Sequence, residues 1–268
     1  FIDLSLMELK EVKRLKLSIL NYDFMTASYV IYGDPGIFES APPMDSRQMP
    51  LREAEVLFFT RSWVFSGGSV EASGDPLFSL TQLSKAILAC VDAELIMNHQ
   101  YTPRYRDKVS AFHSLVRTTD IWDGAVDHVD WAFQQKCSPE VSKRFRELED
   151  IQCFEREIAE RYKRTFLPVL SKIYNRQFLS IGEFLEFYER SLIQRLKRIA
   201  YLILRLSHRY SIVFYTNIVF LARLSMLCQE QRSDFLVAKS LSAARRVGIK
   251  DDEYLVVLRR AAKMRASL

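Results

Sequence analysis

The sequence predicts a mostly α-helical protein in which a small strand–helix–strand element at the front is followed by a multi-helix bundle. Three observations carry this. Glycine and proline number only eight each and cluster before residue 77, so turn punctuation belongs to the front quarter. Behind it, apolar residues recur at helical spacing through long segments. Of the 268 residues, 49% are hydrophobic and 26% charged, which is ample material for a buried core.

Taken in order, "FIDLSL" alternates, with Phe1, Asp3 and Ser5 on one face and Ile2, Leu4 and Leu6 on the other, as in a strand. "MELKEVKRLKLSIL" places Leu9, Val12, Leu15, Leu17 and Ile19 among lysines, an amphipathic helix of about three turns. "ASYVIYGDPG" reads as a second strand ended by a Gly-Asp-Pro-Gly turn. This α/β element is too small to bury itself, and the chain does not open with methionine. The expectation is that the rest of its sheet lies upstream of Phe1.

"FESAPPMDSRQMP" is a linker, and Pro50 suits the start of the helix "LREAEVLFFTRSWVFS". "GGSVEASGDP" is a flexible loop. Helices follow at 77–99, 103–117, 119–136, 139–164, 166–175, 181–209, 210–228, 231–246 and 251–265. The division is then 1–40 for the α/β element, 50–136 for a first helical domain and 137–268 for a C-terminal helical region.

The four cysteines, Cys90, Cys137, Cys153 and Cys228, form no CxxC pair and have no histidine at ligand spacing. Reduced thiols in a cytoplasmic protein are expected. The start lacks the basic residues and cleavage site of a signal peptide. "YSIVFYTNIVFLARLSML" is the most apolar run, but it contains Asn217 and Arg223, so it reads as a buried bundle helix and no membrane span is expected.

The net charge of +5 is concentrated at the end. From Arg232 onward stand Arg232, Lys239, Arg245, Arg246, Lys250, Arg259, Arg260, Lys263 and Arg265, against Asp234, Asp251, Asp252 and Glu253. Such a tail is either a solvated helix face or a contact for nucleic acid or an acidic partner.

The front segment, an aspartate in a hydrophobic strand followed by a helix and "SYVIYGD", resembles the closing part of a nucleotidyltransferase palm of the DNA polymerase β-like superfamily. The helix beginning at Pro50 and "LSKAILACVDAELIMNHQYTPRYRDKV" are similar to the helical domain that follows that palm, some examples of which are HEPN-like. The match covers about the first 35 residues and, more loosely, the chain to about residue 117. The family takes two acids from a Gly-Ser turn followed by an Asp-x-Asp strand, a combination this chain does not contain, and a third from a neighbouring strand, the position Asp3 fits.

The resemblance implies an NTP substrate, Mg²⁺ held in part by Asp3, and transfer of a nucleoside monophosphate to a hydroxyl of a protein, RNA or small molecule. Carboxylate oxygens are the natural ligands of such ions. Lys85 lies near the start of the first long helix, with Asp92 on the same face seven residues on. In resembling enzymes a lysine there reaches the triphosphate. Tyr101, Arg104 and Arg106, in "QYTPRYRDK", stand at a helix–helix connection, where they contact phosphate or form helix-start salt bridges. The rival is a non-enzymatic HEPN-like interaction or nucleic-acid-binding module, an antitoxin or scaffold.

Arg106 and His113, with six residues between them, match the spacing of a HEPN ribonuclease, about as often as chance predicts. Asp120, Asp123, Asp127 and Asp130 align in one stripe, opposite Trp122, Val126, Val129 and Phe133. They face water or a basic partner, for which Arg195, Arg198, Arg205 and Arg209 are an internal candidate. No Ser-His-Asp or Cys-His arrangement and no glycine-rich phosphate loop is legible.

Overall fold

The computed structural model describes residues 8–66, 68–69, 73–116, 122, 124–140, 145, 147–190, 217–218, 220–224, 227–228, 241–243 and 245. Among them it is a helical assembly without strands. Its helices are α1 (Leu9–Val12), α2 (Ile19–Ala27), α3 (Leu51–Arg61), α4 (Pro76–Met97), α5 (Tyr105–Val116), α6 (Val126–Cys137), α7 (Leu148–Tyr174) and α8 (Ile181–Arg190). Short 3₁₀ turns occupy Pro35–Ser40, Ser46–Gln48 and Ser62–Phe65.

Helix α4 is the axis of the bundle. Asp75 caps it by accepting from the Phe78 amide at 3.1 Å, and Pro76 opens it where no amide donor is needed. From Ser79 to Ile96 nearly every side chain is buried. A helix apolar on all sides has to be covered on all sides, and α3, α5, α6 and α7 pack around it. Just before α4, Gly68 lets the chain pass close: a Cβ there would meet the Val64 carbonyl oxygen at 2.9 Å and Gln82 Cβ at 3.2 Å. Gly68→Ala is therefore expected to cost about 1–3 kcal/mol, read as a lower urea midpoint.

Aromatic rings fill the space between α3, α7 and α8. Phe58 lies within 5.7 Å of Tyr162, Phe166 and Phe184, ring centre to ring centre. The Tyr162 hydroxyl donates to the Phe58 carbonyl at 2.6 Å, so its one polar atom is satisfied inside the core. The apolar run near residue 220 joins the same core, with Ile218, Phe220, Leu221, Ala222 and Leu224 buried. Among the described residues no helix is long and apolar enough to cross a membrane.

The helices expected from 119 and from 139 begin at Val126 and Leu148, and three further elements differ from the sequence reading. The expected single helix over "MELKEVKRLKLSIL" is two, because Ser18 accepts from the Asn21 amide and Glu53 accepts from the Ile19 amide at 3.0 Å, starting α2 afresh. The expected break between 164 and 166 does not occur. Pro168 sits on the exposed face of α7, where the backbone carbonyl it leaves unbonded can be solvated. The run marked as a second strand, Ser28–Tyr32, pairs with no strand among the described residues, and Tyr29, Ile31 and Tyr32 are 85, 98 and 98% exposed.

The first expected strand, Asp3 within it, lies outside the described residues. So do Asp120 and Asp123, the arginines at 195, 198, 205 and 209, and the basic tail apart from Arg245.

Candidate functional site: a basic cluster beside a buried ion network

Two acids in the apolar run "AILACVDAELIM" need explaining, since a buried charge requires a partner or must give up its charge. Asp92 has a partner. The Lys108 ammonium, from α5, lies 2.9 Å from Asp92 Oδ1 and 4.0 Å from Asp23 Oδ2 of α2. Lys108 Nζ also donates to the Tyr101 hydroxyl at 3.0 Å, and that hydroxyl donates to Asp23 Oδ1 at 2.9 Å. Lys108 and Tyr101 are buried. The network ties α2, the α4–α5 connection, α4 and α5 to one ammonium, and it fixes the first turn of α5.

Burial pushes the Asp92 carboxyl above its ordinary range, opposed by the charge and hydrogen bond of Lys108 and then by Arg61. Asp23 is raised for the same first reason, opposed by Lys108 and Tyr101. Two carboxylates share one cation in a largely desolvated place.

Next to this network the sign of the charge reverses. Lys85 is half-buried midway along α4. Arg61, at the C-terminal end of α3, and Lys136, in the last turn of α6, are its charged neighbours, and both of those helices pack on α4. Burial first, then these two cations, hold the Lys85 ammonium below its ordinary range. Among the described residues no carboxylate forms an ion pair with Lys85, Arg61 or Lys136.

Tyr105, the first residue of α5, joins the cluster to the network. Its ring centre lies 5.2 Å from Lys108 Nζ and 5.9 Å from Lys136 Nζ. Arg61 also lies close enough to act on the Tyr105 hydroxyl, which burial raises above its ordinary range.

The residues expected from sequence fall as follows. Lys85 is in the cluster. Asp92, on its face of α4, pairs with Lys108 rather than with Lys85. Arg104 and Arg106 flank Tyr105 and are exposed, whereas Tyr101 is buried in the network. Asp3 is outside the described residues. His113 Nε2 lies 3.1 Å from Asp130 Oδ1, which gives the acidic stripe a local partner on α5. Arg61, Lys136, Lys108 and Asp23 were not singled out by the sequence.

Among the described residues no group of three or more metal-ligating side chains gathers. The neighbouring carboxylates Asp23 and Asp92 already hold an ammonium between them. What the cluster can do is attract and hold an anion, through a point-like ammonium at Lys85 and a forked donor at Arg61. The chain has no significant match among protein-family models, curated proteins or solved structures.

Proposed function

We propose that this protein binds a phosphate-bearing ligand, the triphosphate of a nucleotide, at Arg61, Lys85 and Lys136. One observation carries the reading: Lys85 is half-buried on α4, the charges of Arg61 and Lys136 from the packed helices α3 and α6 act on it, and none of the three forms an ion pair with a carboxylate among the described residues. Gathering like charges costs free energy that a polyanion offsets, and a phosphate oxygen gains more there than at an exposed lysine.

In this reading Lys85 and Arg61 bind non-bridging oxygens, and Lys136 adds charge from the rim. The Lys108 network has a positioning role. It holds the first turn of α5, and with it Tyr105, against the cluster. Arg104 and Arg106, exposed at the same turn, are the next donors a longer polyphosphate reaches.

Transfer of a nucleoside monophosphate to an acceptor hydroxyl, as the resemblance implies, needs carboxylates that the described residues do not supply. That step stays tied to Asp3, outside them.

Binding of ATP and of inorganic tripolyphosphate, followed by titration calorimetry, tests the reading. Lys85→Gln is expected to weaken both by about tenfold or more, since a charge-assisted hydrogen bond contributes about 1.5–3 kcal/mol. Circular dichroism should stay unchanged. Equal affinity in the wild type and the variant, or no binding by either, would remove the proposal.

A further inference from the structure

The segment that joins α2 to the turn at Pro35–Ser40 has the chemistry of a strand and no strand beside it among the described residues. Ser28 is extended, with φ −93° and ψ 161°. Tyr29, Val30, Ile31 and Tyr32 are β-branched or aromatic, the side chains that favour strands. Their amides and carbonyls make no hydrogen bond among the described residues. Tyr29, Ile31 and Tyr32 are almost fully exposed. Such an open edge is a template for another strand.

Natural edges are usually blunted by charge, proline or a bulge. Here no residue from Phe24 to Gly33 is charged or a proline. The elements on either side enlarge the apolar patch. Leu20 and Phe24, four residues apart on α2, and Ile37, in the turn, are also exposed. The Phe24 ring centre lies 4.9 Å from that of Phe38, which sets α2 beside the turn. Together the six exposed side chains offer on the order of 800 Å², the area each partner gives to a standard interface. The largest apolar patch of a monomer is typically about 300–600 Å².

We propose that this patch is a homodimer interface, in which Ser28–Tyr32 pairs antiparallel with the same segment of a second copy. The run is self-complementary about Val30. A two-fold axis there sets Tyr29 against the partner's Ile31 and Ser28 against the partner's Tyr32, with the two Val30 residues opposed. Aromatic against β-branched is a favourable cross-strand pair, and a segment without charge meets its own copy without repulsion. The contact is isologous, so it closes at two copies.

The full chain is followed by sedimentation velocity from nanomolar to tens of micromolar concentration. The expected result is a monomer–dimer equilibrium that Ile31→Asp weakens tenfold or more. Circular dichroism stays unchanged, because Ile31 is 98% exposed in its own copy. Val30→Cys and Ile31→Cys, each with the exposed Cys137 and Cys153 replaced by serine, then test the register under oxidation. Opposed antiparallel residues stand within about 5.5 Å, Cα to Cα, so position 30 is expected to cross-link two copies. The two residues at position 31 lie diagonally, beyond the roughly 7 Å that a disulfide spans, and are expected to cross-link severalfold less.

A wild-type chain that stays monomeric throughout overturns the proposal, and leaves the patch to another part of this chain or to a different protein. A dimer that Ile31→Asp leaves intact overturns it too, as does equal cross-linking at positions 30 and 31.

Discussion

Lys108→Met is expected to destabilise the protein by about 3–5 kcal/mol, the cost of leaving a buried charge without its counterion. The substitution keeps the apolar stem and removes the ammonium that lies 2.9 Å from Asp92 and bonds the Tyr101 hydroxyl. Asp92 is then a carboxylate in the core with its main compensation gone, and Asp23 loses its nearest cation.

The loss should shrink at acid pH. Removing Lys108 raises the Asp92 pKa further, so a neutral carboxyl becomes accessible at higher pH than in the wild type, and protonation relieves the unpaired charge. Adding Asp92→Asn to Lys108→Met should recover most of the stability at neutral pH. Urea unfolding of the two single variants and the double variant checks this. A loss under about 1 kcal/mol for Lys108→Met would show that the ion network does not hold α2 and α5 to α4.

Glu94 gives the second large effect. It is 1% exposed, and burial pushes its carboxyl up to about 7, with Thr165 beside it pulling the other way. The folded state holds this proton more tightly than the unfolded chain, so its contribution to stability is full below the unfolded value of 4.5. It is lost as pH rises through about 7. The whole change is about 3 kcal/mol, since each pKa unit corresponds to about 1.4 kcal/mol.

Glu94→Gln keeps the shape and removes the titration. The variant and the wild type should be close in stability near pH 4.5, and the variant clearly the more stable at pH 8. Asp23 and Asp92 are also raised and titrate in both proteins, so the difference between the two pH profiles isolates Glu94. Parallel profiles would mean that Glu94 is not buried as a neutral acid.

Much of the bundle was legible. The expected helix at 77–99 is α4 at Pro76–Met97, because an aspartate cap, a proline at the first position and an unbroken apolar run coincide. Where local signals conflict, packing decides. Pro168 argues for a break, yet α7 runs through it because only an exposed face is affected. A run of β-forming residues ended by a Gly-Asp-Pro-Gly turn marks "ASYVIYGDPG" as a strand, yet a strand exists only through its partner, and none is among the described residues.

The site was legible only in part. Lys85 could be found from its position on a long helix. Arg61 and Lys136 are 24 and 51 residues away from it in sequence and meet it only because α3 and α6 pack on α4. The one local trace of the neighbouring network was a pair of acids, Asp92 and Glu94, in an otherwise apolar segment. That pattern states that partners exist without saying where. Asp92 draws its partner from α5, and Glu94 responds by holding its proton.

The claim that Lys85 anchors a polyphosphate is tested most directly by footprinting that residue. The full chain is treated with a limiting amine-acylating reagent, with and without saturating ATP, and label at each lysine is read by mass spectrometry. The account predicts that Lys85 is labelled in the free protein and protected severalfold by ATP, while exposed Lys172 is labelled equally in both. Labelling of Lys85 that ATP leaves unchanged would contradict it.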